Sequence, residues 1–322
     1  MLQTISHEHD RHHTEAGQKS IESLTASLGD GKIHLLLASS GSVATIKLPN
    51  IIQALSTHPS SRLSIRVILT SSASRFVSGQ SHEQPNISTL TSYPNVDAVY
   101  IDADEWKDPW VRGSGILHIE LRRWADLLVI APLSANTMAR IVNGFADNLL
   151  TSVVRAWDPW GELDPVQAPE ATTTSSSAGN ATVISMTLEG TGGITRNRRT
   201  RKRRIIVAPA MNTAMWRHPI TAKQLRVLEE EWGVQTSSAT DSKERYTQAD
   251  ISSVSETQGR DQQQQHTSQD DETGDGWFEV LRPKSKVLAC GDTGDGAMIE
   301  WTQIVTVIEE RLGLEVGDGS RE

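Results

Sequence analysis

The sequence predicts an α/β fold built on a parallel sheet, and three observations predict it. Apolar runs of strand length at 33–38, 127–131 and 205–208 show little alternation, as strands covered on both faces do. Each run leads through a few small or polar residues into an amphipathic segment, which is the alternation of a βαβ unit. Those small, hydroxyl-rich stretches recur at successive strand ends, where parallel sheets bind their ligands.

Taken in order, residues 1–30 read as a disordered polar tail. His7, His9, His12 and His13 lie in it without a carboxylate or cysteine framework, so they read as solvated side chains and no metal site is assigned. A single domain follows at 31–312. Its first strand, 33–38, turns at Ser39-Ser40-Gly41-Ser42 into a helix from Val43 to Leu55. That turn is not GxGxxG, which counts against a dinucleotide site; Gly41 and Ser42 at a helix start suit a single phosphate, or simply a turn. A second strand, 63–69, ends in Thr70-Ser71-Ser72-Ala73. Residues 80–114 read as loop, with a short strand at 98–101.

The chain is organised around 115–157. His118 sits between Leu117 and Ile119, a titratable group in apolar surroundings. The strand 127–131 is stopped by Pro132, and Ser134 or Asn136 caps a helix that Asn143-Gly144 splits. Residues 161–203 form a first disordered insertion, far longer than the usual connection of about 2–6 residues. It ends in a basic run at 196–204, of the kind that serves nuclear import or an anionic surface, or is plain solvated loop. The strand 205–208 is closed by Pro209 and followed by a helix over 213–232. A second insertion spans 236–276. Val287 to Cys290 is then strand or extended, 291–298 is a Gly/Asp-rich loop, a last helix covers 302–312, and 313–322 is a short tail.

Composition narrows the function. The net charge of −9 gives no reason to expect nucleic acid as a partner. No apolar run reaches membrane-spanning length and no signal region opens the chain, so a soluble cytoplasmic protein is expected. The single cysteine, Cys290, rules out an intramolecular disulfide.

Two strand ends carry nearly the same chemistry. Ser134, Ala135, Asn136 and Thr137 follow one; Met211, Asn212 and Thr213 follow another. Amide side chains and backbone donors at helix starts can read a planar heterocycle, although Asn and Thr are also ordinary N-caps. With no GxxxxGK[ST] loop, FMN fits better than a nucleoside triphosphate. Cys290, beside a glycine-rich loop, is a candidate acid or nucleophile, or a small buried hydrophobe.

The motifs GSVATIK, LHIELRRWADLLVIAPLSANT, DNLLTSVVRAWD, APAMNTAMW and LACGDTGDGAM occur in this order. Together they resemble the phosphopantothenoylcysteine decarboxylases, flavin-containing cysteine decarboxylases whose relatives include the halotolerance-type phosphatase regulators. The resemblance covers nearly all the ordered core. It implies a flavodoxin-like (Rossmann-type) doubly wound fold, trimers with FMN at subunit interfaces, and a place in coenzyme A biosynthesis. By motif, Gly41, Ser42, Val43, Thr70, Ser71, Ser72, Ser134, Ala135, Asn136, Thr137 and Met211 would hold FMN. His118 would be the catalytic base and Cys290 the proton donor. Asn212 would hold the substrate carboxylate, with Val287, Ala289 and Met298 touching the substrate. The chemistry is coherent: carbon dioxide cannot leave an ordinary cysteine without stranding a carbanion, whereas a flavin that withdraws two electrons from the thiol removes that obstacle. The expected assembly is a homotrimer, or a heterotrimer with paralogous chains. The alternative from another class is an inhibitory subunit of a Ser/Thr protein phosphatase. His118, Asn212 and Cys290 are all present and the C-terminal tail is only mildly acidic, which favours the enzyme. A peptidyl-cysteine decarboxylase is a third reading, less suited to the HIELRRWAD and LACGD contexts.

Overall fold

The computed structural model describes residues 21–107, 109–160, 163, 202–234, 276–287 and 293–314. Six parallel strands form its central sheet: β1 (Ile33–Ser39), β2 (Leu63–Leu69), β5 (Val96–Ile101), β6 (Leu127–Leu133), β7 (Ile205–Pro209) and β8 (Phe278–Val280), in the order β5-β2-β1-β6-β7-β8. The chain moves outward from β1 through β2 to β5, returns to lay β6 on the other side of β1, and moves outward again. The switch point therefore falls between β1 and β6.

Strand alternation sends successive side chains to opposite faces. Leu35, Leu37, Ile65, Val67, Val129 and Ile206 face one side, where α2 (Leu48–Leu55) and α10 (Trp301–Leu312) bring Ile51, Ile52, Leu55, Ile304 and Ile308. Leu36, Ala38, Ile68, Leu128, Ile130 and Val207 face the other. There α5 (Leu117–Trp124), α6 (Ala135–Val142) and α7 (Leu149–Arg155) contribute Leu121, Trp124, Met138, Ile141, Leu150 and Val153. Helices cover both faces, which is why these strands read as unbroken apolar runs.

Five expectations change. Residues 21–27, assigned to the polar tail, form a helix, α1. Ile21, Leu24 and Leu28 recur at helical spacing and pack on the α5 face, with Leu24 fully buried. Pro132 lies within β6 instead of ending it; the pairing with β7 shifts register between Ile130 and Leu133, where a residue without an N–H is tolerated. The long helix over 213–232 is three pieces: α8 (Thr213–Arg217), α9 (Pro219–Arg226) and a wider turn at Val227–Glu231, because Pro219 cannot continue α8 and starts α9 capped by His218. The segment read as loop at 291–298 contains a strand, Thr293–Ala297, and of the extended segment expected at 287–290 only Val287 is described, at the end of Lys284–Val287. Lys284–Val287 forms β9, paired antiparallel with β10 (Thr293–Ala297) outside the central sheet, and β8 takes the sheet edge. A small hairpin, β3 (Ser78–Ser81) with β4 (Gln84–Asn86), occupies part of the segment read as loop. Most of both insertions lies outside the described residues. At the end of the first, the Arg203 N–H donates to Pro159 O at 2.8 Å.

Candidate functional site

Four neighbouring strands, β2, β1, β6 and β7, finish at the same edge of the sheet, and the predicted ligand-holding segments follow them directly. Hydrogen bonds tie these ends together. The Ser40 hydroxyl donates to Pro132 O at 2.9 Å and accepts from the Ser134 N–H at 2.7 Å, bridging the switch point. The Thr70 N–H donates to Ser39 O at 3.2 Å, and the Ala210 N–H to Leu133 O at 2.9 Å. Ser40 was absent from the sequence-based site. A buried serine at a strand end was its only signal.

The local caps follow ordinary rules. Thr70 accepts from the Ala73 N–H, Ser134 from the Thr137 N–H, and Asn212 from the Met215 N–H at 2.8 Å. Ser42 makes no side-chain cap bond. Gly41 is required for a different reason. A Cβ built there would fall 2.5 Å from Ser72 Cβ, so the turns after β1 and β2 touch only because this residue has no side chain. The Thr213 hydroxyl is buried without a partner, beside Asn212. On the β10 side, the Met211 N–H donates to Gly296 O at 2.9 Å, and Gly296 takes φ +106° where a Cβ would meet Met211 O. Met298 is buried in the core. Val287 ends β9, while Ala289 and Cys290 lie outside the described residues.

His118 occupies the first turn of α5 and lines a cavity of about 480 Å³ with Asp102, Glu105, Trp106, Asn148, Ser152 and Arg155. Its Nδ1 lies 2.7 Å from Glu105 Oε1; the ring is 21 % exposed and the carboxylate 4 %. The cavity adjoins the strand ends through Asp102, whose Oδ2 accepts from both the Ser71 N–H (3.0 Å) and the Ser71 hydroxyl (2.6 Å). None of the described residues 211–213 or 293–298 lines it. Within one chain, His118 is thus brought to the β2 end of the site and not to Asn212. Asp102 and Glu105 were missed because 80–114 read as loop; acids directly after a strand end were the available signal.

Comparison with known proteins gives the family. The Flavoprotein family profile matches residues 23–168 and 192–258. A phosphopantothenoylcysteine decarboxylase from Arabidopsis thaliana is 30 % identical over 294 residues, covering 91 % of this chain and 92 % of that protein. A Schizosaccharomyces pombe protein named probable thymidylate synthase is 35 % identical over 288 residues, which is 89 % of this chain. The chain spans only 31 % of that relative's length. The solved structure of the FMN binding protein AtHal3 superimposes with a TM-score of 0.50 at 29 % identity, covering 88 % of this chain and 99 % of that one. By the family profile and by a relative of nearly equal length, the chain belongs to the flavoprotein family, in its phosphopantothenoylcysteine decarboxylase group.

Proposed function

We propose that the chain is an FMN-dependent decarboxylase that converts 4'-phospho-N-pantothenoylcysteine to 4'-phosphopantetheine and carbon dioxide, assembled as a homotrimer with sites between subunits. The observation that carries this reading is the row of four strand ends at the switch point, joined through Ser71 and Asp102 to the His118 cavity. The residues fit a flavin mononucleotide. The bare Gly41 lets two turns close into one cradle, with the Ser42 hydroxyl outside any cap and the Thr213 hydroxyl still without a partner. Gly41, Ser42 and Val43 would hold FMN together with Thr70 to Ser72, Ser134 to Thr137, and Met211. When bound, FMN would supply a two-electron sink for the substrate thiol and give the pair back to the decarboxylated product, so that the reaction is redox-neutral overall.

The chain's own residues then have distinct tasks. His118 accepts the thiol proton at the ring nitrogen not committed to Glu105. Capping engages the Asn212 Oδ1, so its NH₂ is the end that can grip the substrate carboxylate, and it does so without adding a repelling charge. By motif, Cys290 would return a proton to the product carbon, and Val287, Ala289 and Met298 would touch the substrate. Assembly brings His118 of one chain toward Asn212 of another. Trp106, 66 % exposed at the cavity, and Phe145, 57 % exposed beside it, are apolar surfaces that such an interface covers.

The test is turnover of phosphopantothenoylcysteine by the protein expressed alone. Carbon dioxide release, with about one FMN freed per chain on denaturation, is expected. A flavin-free trimer without turnover overturns the reading.

A further inference from the structure

We propose that Glu105 is a positioning residue for His118: it holds the imidazole with the proton on Nδ1, so that Nε2 stands unprotonated toward the cavity and ready to take the substrate proton. The inference deepens the proposed decarboxylase function and rests on it.

The geometry argues for this in three steps. An ionised carboxylate only accepts hydrogen bonds, so a 2.7 Å contact from Glu105 Oε1 requires the proton on His118 Nδ1. Among the described residues, Nε2 has no recorded partner, and the ring lines the cavity. Glu105 also bears a cost that a mere loop tie does not need. Its side chain is 4 % exposed, yet its second oxygen, Oε2, is buried with no hydrogen bond. A glutamine would tie the loop to α5 without burying a charge. A carboxylate adds one thing: its charge stabilises the imidazolium formed when Nε2 takes the thiol proton, while Nδ1–H stays bonded to it.

The other charged groups around the ring do not take this part. Asp102 is committed to Ser71, and Asp147 pairs with Arg140 at 3.2 Å. Arg155, on α7, has the sign that opposes an imidazolium. Trp106, next in sequence, also lines the cavity and carries no charge.

The experiment reads the tautomer and the kinetics separately. Ring ¹⁵N NMR, with the His118 signal assigned by its loss in His118→Asn, should show the proton on Nδ1 in the wild type and a mixture of both tautomers in Glu105→Gln, whose amide can accept or donate. In the same variant kcat should fall about 10- to 100-fold with KM unchanged. A wild-type ring carrying its proton on Nε2 overturns the proposal even if the variant does not fold. Unchanged kcat in folded Glu105→Gln also overturns it. Absence of wild-type turnover sinks the decarboxylase reading instead, and the NMR result still decides the role of Glu105.

Discussion

His34 and His118 lie at the two ends of the same structural unit and have opposite circumstances. His34, in β1, is buried. Its Nδ1 lies 3.1 Å from Trp124 O and its Nε2 3.0 Å from Asp30 Oδ1, and its ring stacks on Trp124 with centroids 4.5 Å apart. Arg66 extends the stack over the same indole at 5.0 Å and reaches Tyr100 and Ser23. His118, six residues before Trp124 on the same helix, commits one nitrogen to a buried acid and lines a cavity. The difference teaches that an apolar setting alone does not mark a working histidine. One with both nitrogens bonded and its faces packed joins elements; one bonded on a single side can move a proton.

The largest expected effect tests the cavity side of this contrast. His118→Asn should lower carbon dioxide release about 10²–10⁴-fold, the usual contribution of a positioned base. Flavin should be retained, while unfolding in urea should show a loss of about 1–3 kcal/mol, because Glu105 is left buried without its partner. Turnover surviving in this variant breaks the comparison.

His34→Ala tests the other side. It removes a stacked, fully bonded ring and leaves Asp30 and the Trp124 carbonyl without it, so a loss of about 2–4 kcal/mol in unfolding free energy is expected. Specific activity per folded chain should not change. A variant that keeps its stability but loses activity would show that His34 reaches the chemistry through α5.

Legibility in the sequence followed the same divide. Strands β1, β2, β6 and β7 were readable because residues buried on two faces leave long apolar runs, and the hydroxyl-rich ends were readable because they follow those runs directly. Helix α1 was not, since only Ile21, Leu24 and Leu28 signal it among polar neighbours. Nor was β8, a three-residue edge strand whose partner, β7, lies far back along the chain. The histidine of the site was visible, but its partner was not. Glu105 is thirteen residues from His118 across a proline-bearing loop, and nothing short of the fold brings that acid to the ring. Cys290, the sharpest residue by type, lies outside the described residues, so its role rests on motif alone.

The smallest expected effect separates holding the cofactor from handling the proton. In Gly41→Ala the new Cβ would sit 2.5 Å from Ser72 Cβ, closer than such atoms approach, so the turns after β1 and β2 must part. Those turns frame the proposed FMN cradle, while His118 and Glu105 lie on the far side of Asp102. FMN affinity should therefore fall about tenfold, equivalent to about 1.4 kcal/mol, as titration of the apoprotein would measure. The His118 ring signal should be unchanged. Gly29→Ala is the control, because nothing lies within 4 Å of a Cβ there. It should shift stability by less than about 0.5 kcal/mol and leave flavin binding intact. If Gly41→Ala binds FMN as tightly as the wild type, the two turns do not form the cradle, and the strand ends at the switch point lose their assigned ligand while the histidine cavity keeps its own.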